Sequence, residues 1–325
     1  MIALLRAELL RVRSRKLTWI ALGCVLLIVA LTQVAVYTSV RPLSNNERAQ
    51  AQTNYEQSKA DYDQHKDEYA KEAQDCIDQG NPPEACEYTE PQLEDYATRS
   101  VSSFSEMANL AVTVGVFVSG LALLFLSASL IGAEFSSGSM ANWLSFVPQR
   151  AKVYASKLGA LALVGMVATA VVSGLSVGLT LLVSRIAGAS VSDLGKVDAA
   201  AARGIVIGLV AVVIGFSLAM LTRHTIAASG TLLGYFFLRF VFTIVMYAVP
   251  VLQQGQRFMP ENNALALLNH GATYTTEVRV ATADGVEVNT IEHTITLAQA
   301  SVYWVVLVVV LLAVSYLVFR RRDVN

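Results

Sequence analysis

The stretch MANLAVTVGVFVSGLALLFLSASLIG, residues 107–132, contains no Asp, Glu, Lys, Arg or Pro. A helix of that length rises about 39 Å at ~1.5 Å per residue, more than the ~30 Å hydrocarbon layer of a bilayer requires. Five more stretches share this character: about 17–40, 158–184, 204–222, 225–250 and 298–319, with Arg239 the one charge inside any of them. The sequence therefore predicts an all-α integral membrane protein with six transmembrane helices. Composition agrees: 54% hydrophobic and 15% charged residues, with a mean hydropathy of +0.50, are too apolar for a water-soluble domain.

The first run follows Arg6, Arg11, Arg13, Arg15 and Lys16, as the apolar core of a secretory signal would. From Leu17 to about Val40 it exceeds such a core, and no small-residue cleavage site follows, so it is expected to remain as the first span. Short loops rich in Lys and Arg stay in the cytoplasm. That rule puts both termini inside: residues 1–16, the loop 133–157 with Arg150, Lys152 and Lys157, Arg223, and the tail 320–325 with Arg320, Arg321 and Arg322. Segments 41–106, 185–203 and 251–297 then lie outside. The expectation is a multi-pass protein of the cell (plasma) membrane. Basic residues at the span ends and acidic ones in one insert argue for orientation in a bilayer and against nucleic-acid binding.

Segment 41–106 holds fourteen carboxylates against six Lys and Arg between Arg41 and Ser105, the balance of a solvated acidic structure. From Ser44 to Asp78 it has neither Pro nor Gly and predicts one long helix. Tyr55, Tyr62 and Tyr69 recur every seven residues, a narrow seam for a partner helix, for which the returning stretch around Leu93, Tyr96, Val101 and Phe104 is the candidate. Cys76 and Cys86 flank the turn Gly80-Asn81-Pro82-Pro83 and can form a disulfide if the segment is outside the cell. The insert is either a spacer packed on itself or a cap that gates an exit path or meets a partner. Segment 251–297 opens with an amphipathic piece, Met259 to His270. It continues as a hairpin in which Glu277 to Thr282 and Val286 to Ile291 flank the turn Ala283-Asp284-Gly285.

No catalytic constellation is present. Gly195-Lys196 is followed by Val197 and lacks the upstream glycine of a phosphate-cradling loop. His65, His224, His270 and His293 lie in four different segments without metal-ligand spacing, so no metal site is expected. No pair of Asp or Glu lies within a span, which leaves a secondary transporter without its usual proton relay.

The loop after the second span reads IGAEFSSGSMANWLSFVPQR, from Ile131 to Arg150. Glu134, Gly138, Leu144, Pro148, Arg150 and Lys157 follow a pattern in which Glu precedes Gly-Thr, then Leu, then Pro and Arg, then a Lys opening the next span; Ser139 stands where Thr is usual. In this the chain resembles the ABC-2 type transporter permease family. The resemblance implies the membrane permease subunit of an ATP-driven exporter. It also implies a homodimer, or a heterodimer with a related permease, bound to a separate ABC ATPase that carries ATP and Mg. This chain then binds no cofactor and is not an enzyme by itself. The loop 133–157 becomes a coupling element, with Glu134, Phe135, Gly138, Ser139, Trp143, Leu144, Pro148 and Arg150 as the contact residues.

Large apolar groups at Phe135, Met140, Trp143, Leu144, Phe146 and Val147 suit a short helix docked in a partner's groove, and Glu134 and Arg150 can orient it by charge pairing. A helix lying in the lipid headgroups would carry the same residues. Residues 1–16, with Leu4, Leu5, Leu9, Leu10 and Val12 among the arginines, suit either anionic lipid or the ATPase. Arg239, among Tyr235, Phe236, Phe240 and Phe242, is expensive at mid-span and requires a cavity, a carboxylate, carbonyls or aromatic faces. It is a candidate for the substrate path or a subunit interface. Gly174 with Gly178, Gly204 with Gly208 and Gly230 with Gly234 predict close helix packing within the chain. Two other classes fit the sequence: a membrane-anchored interaction or signalling protein that uses the outer insert for recognition, and a secondary transporter.

Overall fold

The computed structural model describes residues 2–80, 82–97, 103–188, 191, 193–282 and 285–321. The chain starts with α1 (Ile2–Ser14) and α2 (Lys16–Val40), separated by an extended Arg15. Two bonds hold this corner: the Thr18 hydroxyl donates to the Val12 carbonyl (2.7 Å) and the Trp19 indole to that of Arg13 (2.8 Å). Next come α3 (Asn45–Asp78), α4 (Leu93–Ala97), α5 (Phe104–Ser136), α6 (Ser139–Phe146), α7 (Arg150–Ile186), α8 (Leu194–Thr222) and α9 (Thr225–Ala248). A 3-10 segment, Pro250–Phe258, leads to α10 (Pro260–Leu268), the antiparallel strands β1 (Gly271–Thr282) and β2 (Gly285–Thr296), and α11 (Leu297–Arg321). Six helices, α2, α5, α7, α8, α9 and α11, are long and apolar enough to cross a membrane.

Helices α5 and α8 form the centre, with α7 against both; two-thirds of the apolar window of α8 is buried, but only 11% of that of α9. Glycine sets the closest approach. A Cβ on Gly215 would fall 2.1 Å from the Leu124 carbonyl, and one on Gly208 would fall 2.1 Å from the Thr169 hydroxyl. Of the three glycine pairs singled out in the sequence, only Gly204 and Gly208 meet neighbours this way. Gly174, Gly178, Gly230 and Gly234 have nothing within 4 Å of an added Cβ, because their faces of α7 and α9 point away from the bundle. The pairing expected of them within the chain is therefore absent.

Both ends of the bundle carry extra structure. At one end lie α1 and α6. At the other, α3 begins with a reciprocal cap, in which the Glu47 amide donates to the Ser44 hydroxyl and the Ser44 amide to the Glu47 carboxylate. Tyr96 of α4 meets Tyr55, and Tyr88 stacks on Tyr69 with ring centroids 4.9 Å apart. Cys76 and Cys86 are joined in a disulfide. Phe104 does not join this seam: it is wholly buried in the bundle beside Ala108 and Leu267, since the apolar layer offers more contact than an exposed hairpin. Val101 and Asn81 lie outside the described residues.

The second insert folds back rather than standing clear. Helix α10 buries Ala264, Ala266, Leu267 and Leu268, and the Asn263 amide donates to the carbonyls of Arg257 and Met259. The strands are twelve residues each, twice the six expected, in register from Gly271 opposite Thr296 to Thr282 opposite Gly285. Their Thr-rich flanks sustain the pairing. Ala283 and Asp284 of the predicted turn lie outside the described residues.

Candidate functional site

The loop that resembles a coupling element is a corner of three helices. Helix α5 continues to Ser136, and Gly138 turns the chain at a φ of +70°, a left-handed conformation open to glycine at little cost. The Ser139 hydroxyl donates to the Glu134 carbonyl (3.3 Å), closing the corner, and α6 follows. The apolar groups of α6 do not form one outward face. Met140 is fully buried, Trp143 is half-buried, and Phe135, Leu144 and Val147 pack against the bundle core. Phe146 alone among them stands out, 86% exposed, followed by exposed Pro148 and Gln149.

Beneath the corner lies a charge cluster of two anions and two cations from three helices, α1, α5 and α7. The Lys157 ammonium, at the start of α7 and 1% exposed, donates to Glu8 of α1 (2.8 Å) and pairs with the second carboxylate oxygen of Glu134. Arg11 donates to the other oxygen of Glu134 (3.1 Å) and lies 3.7 Å from Glu8. The Trp143 ring closes the top, with the Arg11 guanidinium 4.8 Å and the Lys157 ammonium 5.7 Å from its centre. Arg11 is partly exposed, but Glu8, Glu134 and Lys157 are buried, and removing Lys157 from such a set typically costs about 3–5 kcal/mol, because a desolvated charge is left uncompensated.

The expected pairing of Glu134 with Arg150 is not what forms. Arg150 donates instead to the carbonyls of Phe319 (3.0 Å) and Arg320 (3.1 Å) at the end of α11, a helix end whose last carbonyls lack partners along the chain. Lys157, two helical turns further into the bundle, takes Glu134. Sequence reading noticed Glu134 and Lys157 but not Glu8. Its one signal is a lone carboxylate on the otherwise basic and apolar α1.

Arg239 sits nine residues, about 13 Å, from the last residue of α9. Its Nε lies 3.5 Å from Glu261 of α10, and its Nη1 donates to the Thr243 hydroxyl. The Tyr235 hydroxyl donates to the same Glu261 oxygen (3.0 Å). The carboxylate Arg239 requires thus comes from the insert that folds back. Among the described residues no ring lies over its guanidinium, and Phe236 and Phe240 point outward from the bundle. Among them, too, no group of three or more His, Cys, Asp or Glu could hold a metal.

The model of the ABC-2 family transporter proteins matches residues 2–324, essentially the whole chain. The chain belongs to the ABC-2 transporter family. It is accordingly a multi-pass membrane protein of the permease class, whose members are transport subunits associated with an ABC ATPase rather than enzymes on their own. No curated protein sequence matches it.

Proposed function

We propose that this ABC-2 protein is the permease subunit of an exporter and couples to a separate ATPase through the α5–α6–α7 corner. ATP and Mg reside on that ATPase, and both termini and α6 face the cytoplasm. Exposed Phe146 carries the reading: a large aromatic group held out on a short helix whose other apolar side chains turn inward. A single aromatic anchor of this kind supplies much of the affinity of a helix docked in a groove. Glu134, Ser139, Gly138, Trp143 and Arg150 then make the corner rigid, so that motion of the docked ATPase moves α5 and α7 as levers instead of bending the loop.

Two copies of the permease, or this one and a related chain, would enclose the path. The wide unpartnered face of α9, with Phe236, Phe240 and open Gly230 and Gly234, supports that expectation. Arg239 lies beside that face, already balanced by Glu261, which favours a structural role for it at the subunit boundary.

The test is co-purification of the tagged chain in mild detergent with ATPase activity measured on the complex. Phe146→Ala is expected to weaken ATPase association by roughly thirtyfold, the effect of losing about 2 kcal/mol of anchor, with the permease melting temperature unchanged. A preparation free of ATPase under conditions that preserve membrane complexes would reject the coupling reading. Unaltered association in Phe146→Ala would return Phe146 to the lipid headgroups.

A further inference from the structure

A crevice of about 450 Å³ opens on the side of the bundle between α1, α2, α5 and α7. Val25, Leu123, Leu126 and Val172 form its buried floor, and Val167 and Val171, half-exposed, form its rim. The two hydroxyls in its wall are already engaged: Thr18 donates to the Val12 carbonyl and Ser119 to that of Val116. With both hydroxyl protons committed and every other lining side chain apolar, the crevice suits hydrocarbon. Along α7 it runs from Leu163 to Val172, about 13 Å, close to the ~15 Å half-thickness of a bilayer's hydrocarbon layer. Its size and depth are those of an acyl chain.

The α1–α2 corner forms the mouth. A second cavity, about 210 Å³, lies beside it and is lined by Ser14 and Arg15 together with Glu8, Arg11, Glu134 and Lys157. The last four residues neutralise one another. Arg13, Arg15 and Lys16 are therefore surplus, and among the described residues no carboxylate lies within ion-pair distance of them. Arg15 is one turn from Thr18 in the crevice wall, and its carbonyl accepts the Thr18 amide (3.1 Å).

We propose that this crevice is a binding site for an anionic phospholipid. One acyl chain fills the groove between α2, α5 and α7, and the headgroup phosphate lies against Arg15 and Lys16. Leu9 of α1 covers part of the chain, so the lipid ties α1 to the bundle beside the Glu8–Lys157 contact. This site does not depend on the direction of transport or on the ATPase.

The test is native mass spectrometry of the delipidated full-length chain in detergent, titrated with phosphatidylglycerol and with phosphatidylcholine of identical acyl chains. Phosphatidylglycerol is expected to bind roughly tenfold tighter or more, the effect of two interfacial cations. Arg15→Gln with Lys16→Gln should bring it down to the phosphatidylcholine level. Val171→Trp, at the exposed rim, should obstruct the groove and release both lipids. Equal binding of the two lipids, selectivity that survives the charge changes, or retention in Val171→Trp would each overturn the site. So would displacement of the bound lipid by inorganic phosphate alone, which would reveal an anion site without a chain.

Discussion

Lys157 and Arg239 are both cations set into apolar helices, and each is met by a carboxylate from a peripheral element, Glu8 on α1 and Glu261 on α10. The resemblance stops at burial and number. Lys157 has two carboxylates and almost no solvent, whereas Arg239 has one at 3.5 Å, with about a quarter of its side chain exposed. A buried set holds its members by mutual need, since no water can substitute for a missing partner. A partly exposed pair leaves each member an alternative. The α1 end of the bundle should therefore behave as one rigid unit, and the α9–α10 contact as a separable one.

Lys157→Met breaks that comparison most severely. It leaves Glu8 and Glu134 facing each other with only Arg11 between them, and the expected loss is about 3–5 kcal/mol in detergent-solubilised unfolding. Adding Glu134→Gln removes the uncompensated anion and should recover at least about 1 kcal/mol, the mark of coupled neighbours. Additive losses in the double variant would show that the four charges do not act together.

At the α9–α10 contact the effects should be smaller and asymmetric. Glu261→Gln leaves Arg239 charged at depth, with an expected cost of roughly 2 kcal/mol. Arg239→Met forfeits the ion pair but also removes the cost of keeping a cation in the apolar layer, so the two terms offset and stability should change by less than about 1 kcal/mol. Equal losses in the two variants would mean that Arg239 is held as tightly as Lys157.

Which of these contacts the sequence reveals depends on chain separation. The spans are legible because apolar length alone decides them, and the start of α3 is legible because Ser44 and Glu47 are three residues apart. The hairpin is visible from its turn, but its length is not, since Thr-rich flanks pair only when both are present. Glu8 and Lys157 are separated by 149 residues, and no local pattern joins them. The glycine pairs mislead for a related reason: spacing shows that two glycines share a helix face, not whether a neighbour occupies it. The inward turn of Met140 and Trp143 is likewise hidden, because it follows from what lies beneath them, the apolar core for Met140 and the charge cluster for Trp143.

The exposed extreme of the series is Lys59 with Glu90, which ties α3 to the return before α4. The hydrogen bond with Glu90 raises the Lys59 ammonium above its usual 10.5, and the bond with Lys59 lowers the Glu90 carboxyl below its usual 4.5. A lowered acid contributes above its unfolded value and loses that contribution as pH falls through the folded one. A raised base contributes below its unfolded value and loses that contribution as pH rises through the folded one. The pair should thus be constant between about 4.5 and 10.5 and fade outside that window. Lys59→Ala is expected to return the Glu90 carboxyl towards its usual value in an NMR titration while the melting temperature of the protein stays the same. High salt should produce the same return in the wild type, because water and ions reach this pair as they cannot reach Lys157. A Glu90 titration insensitive to both would show that its lowered value comes from the fold around it and not from Lys59.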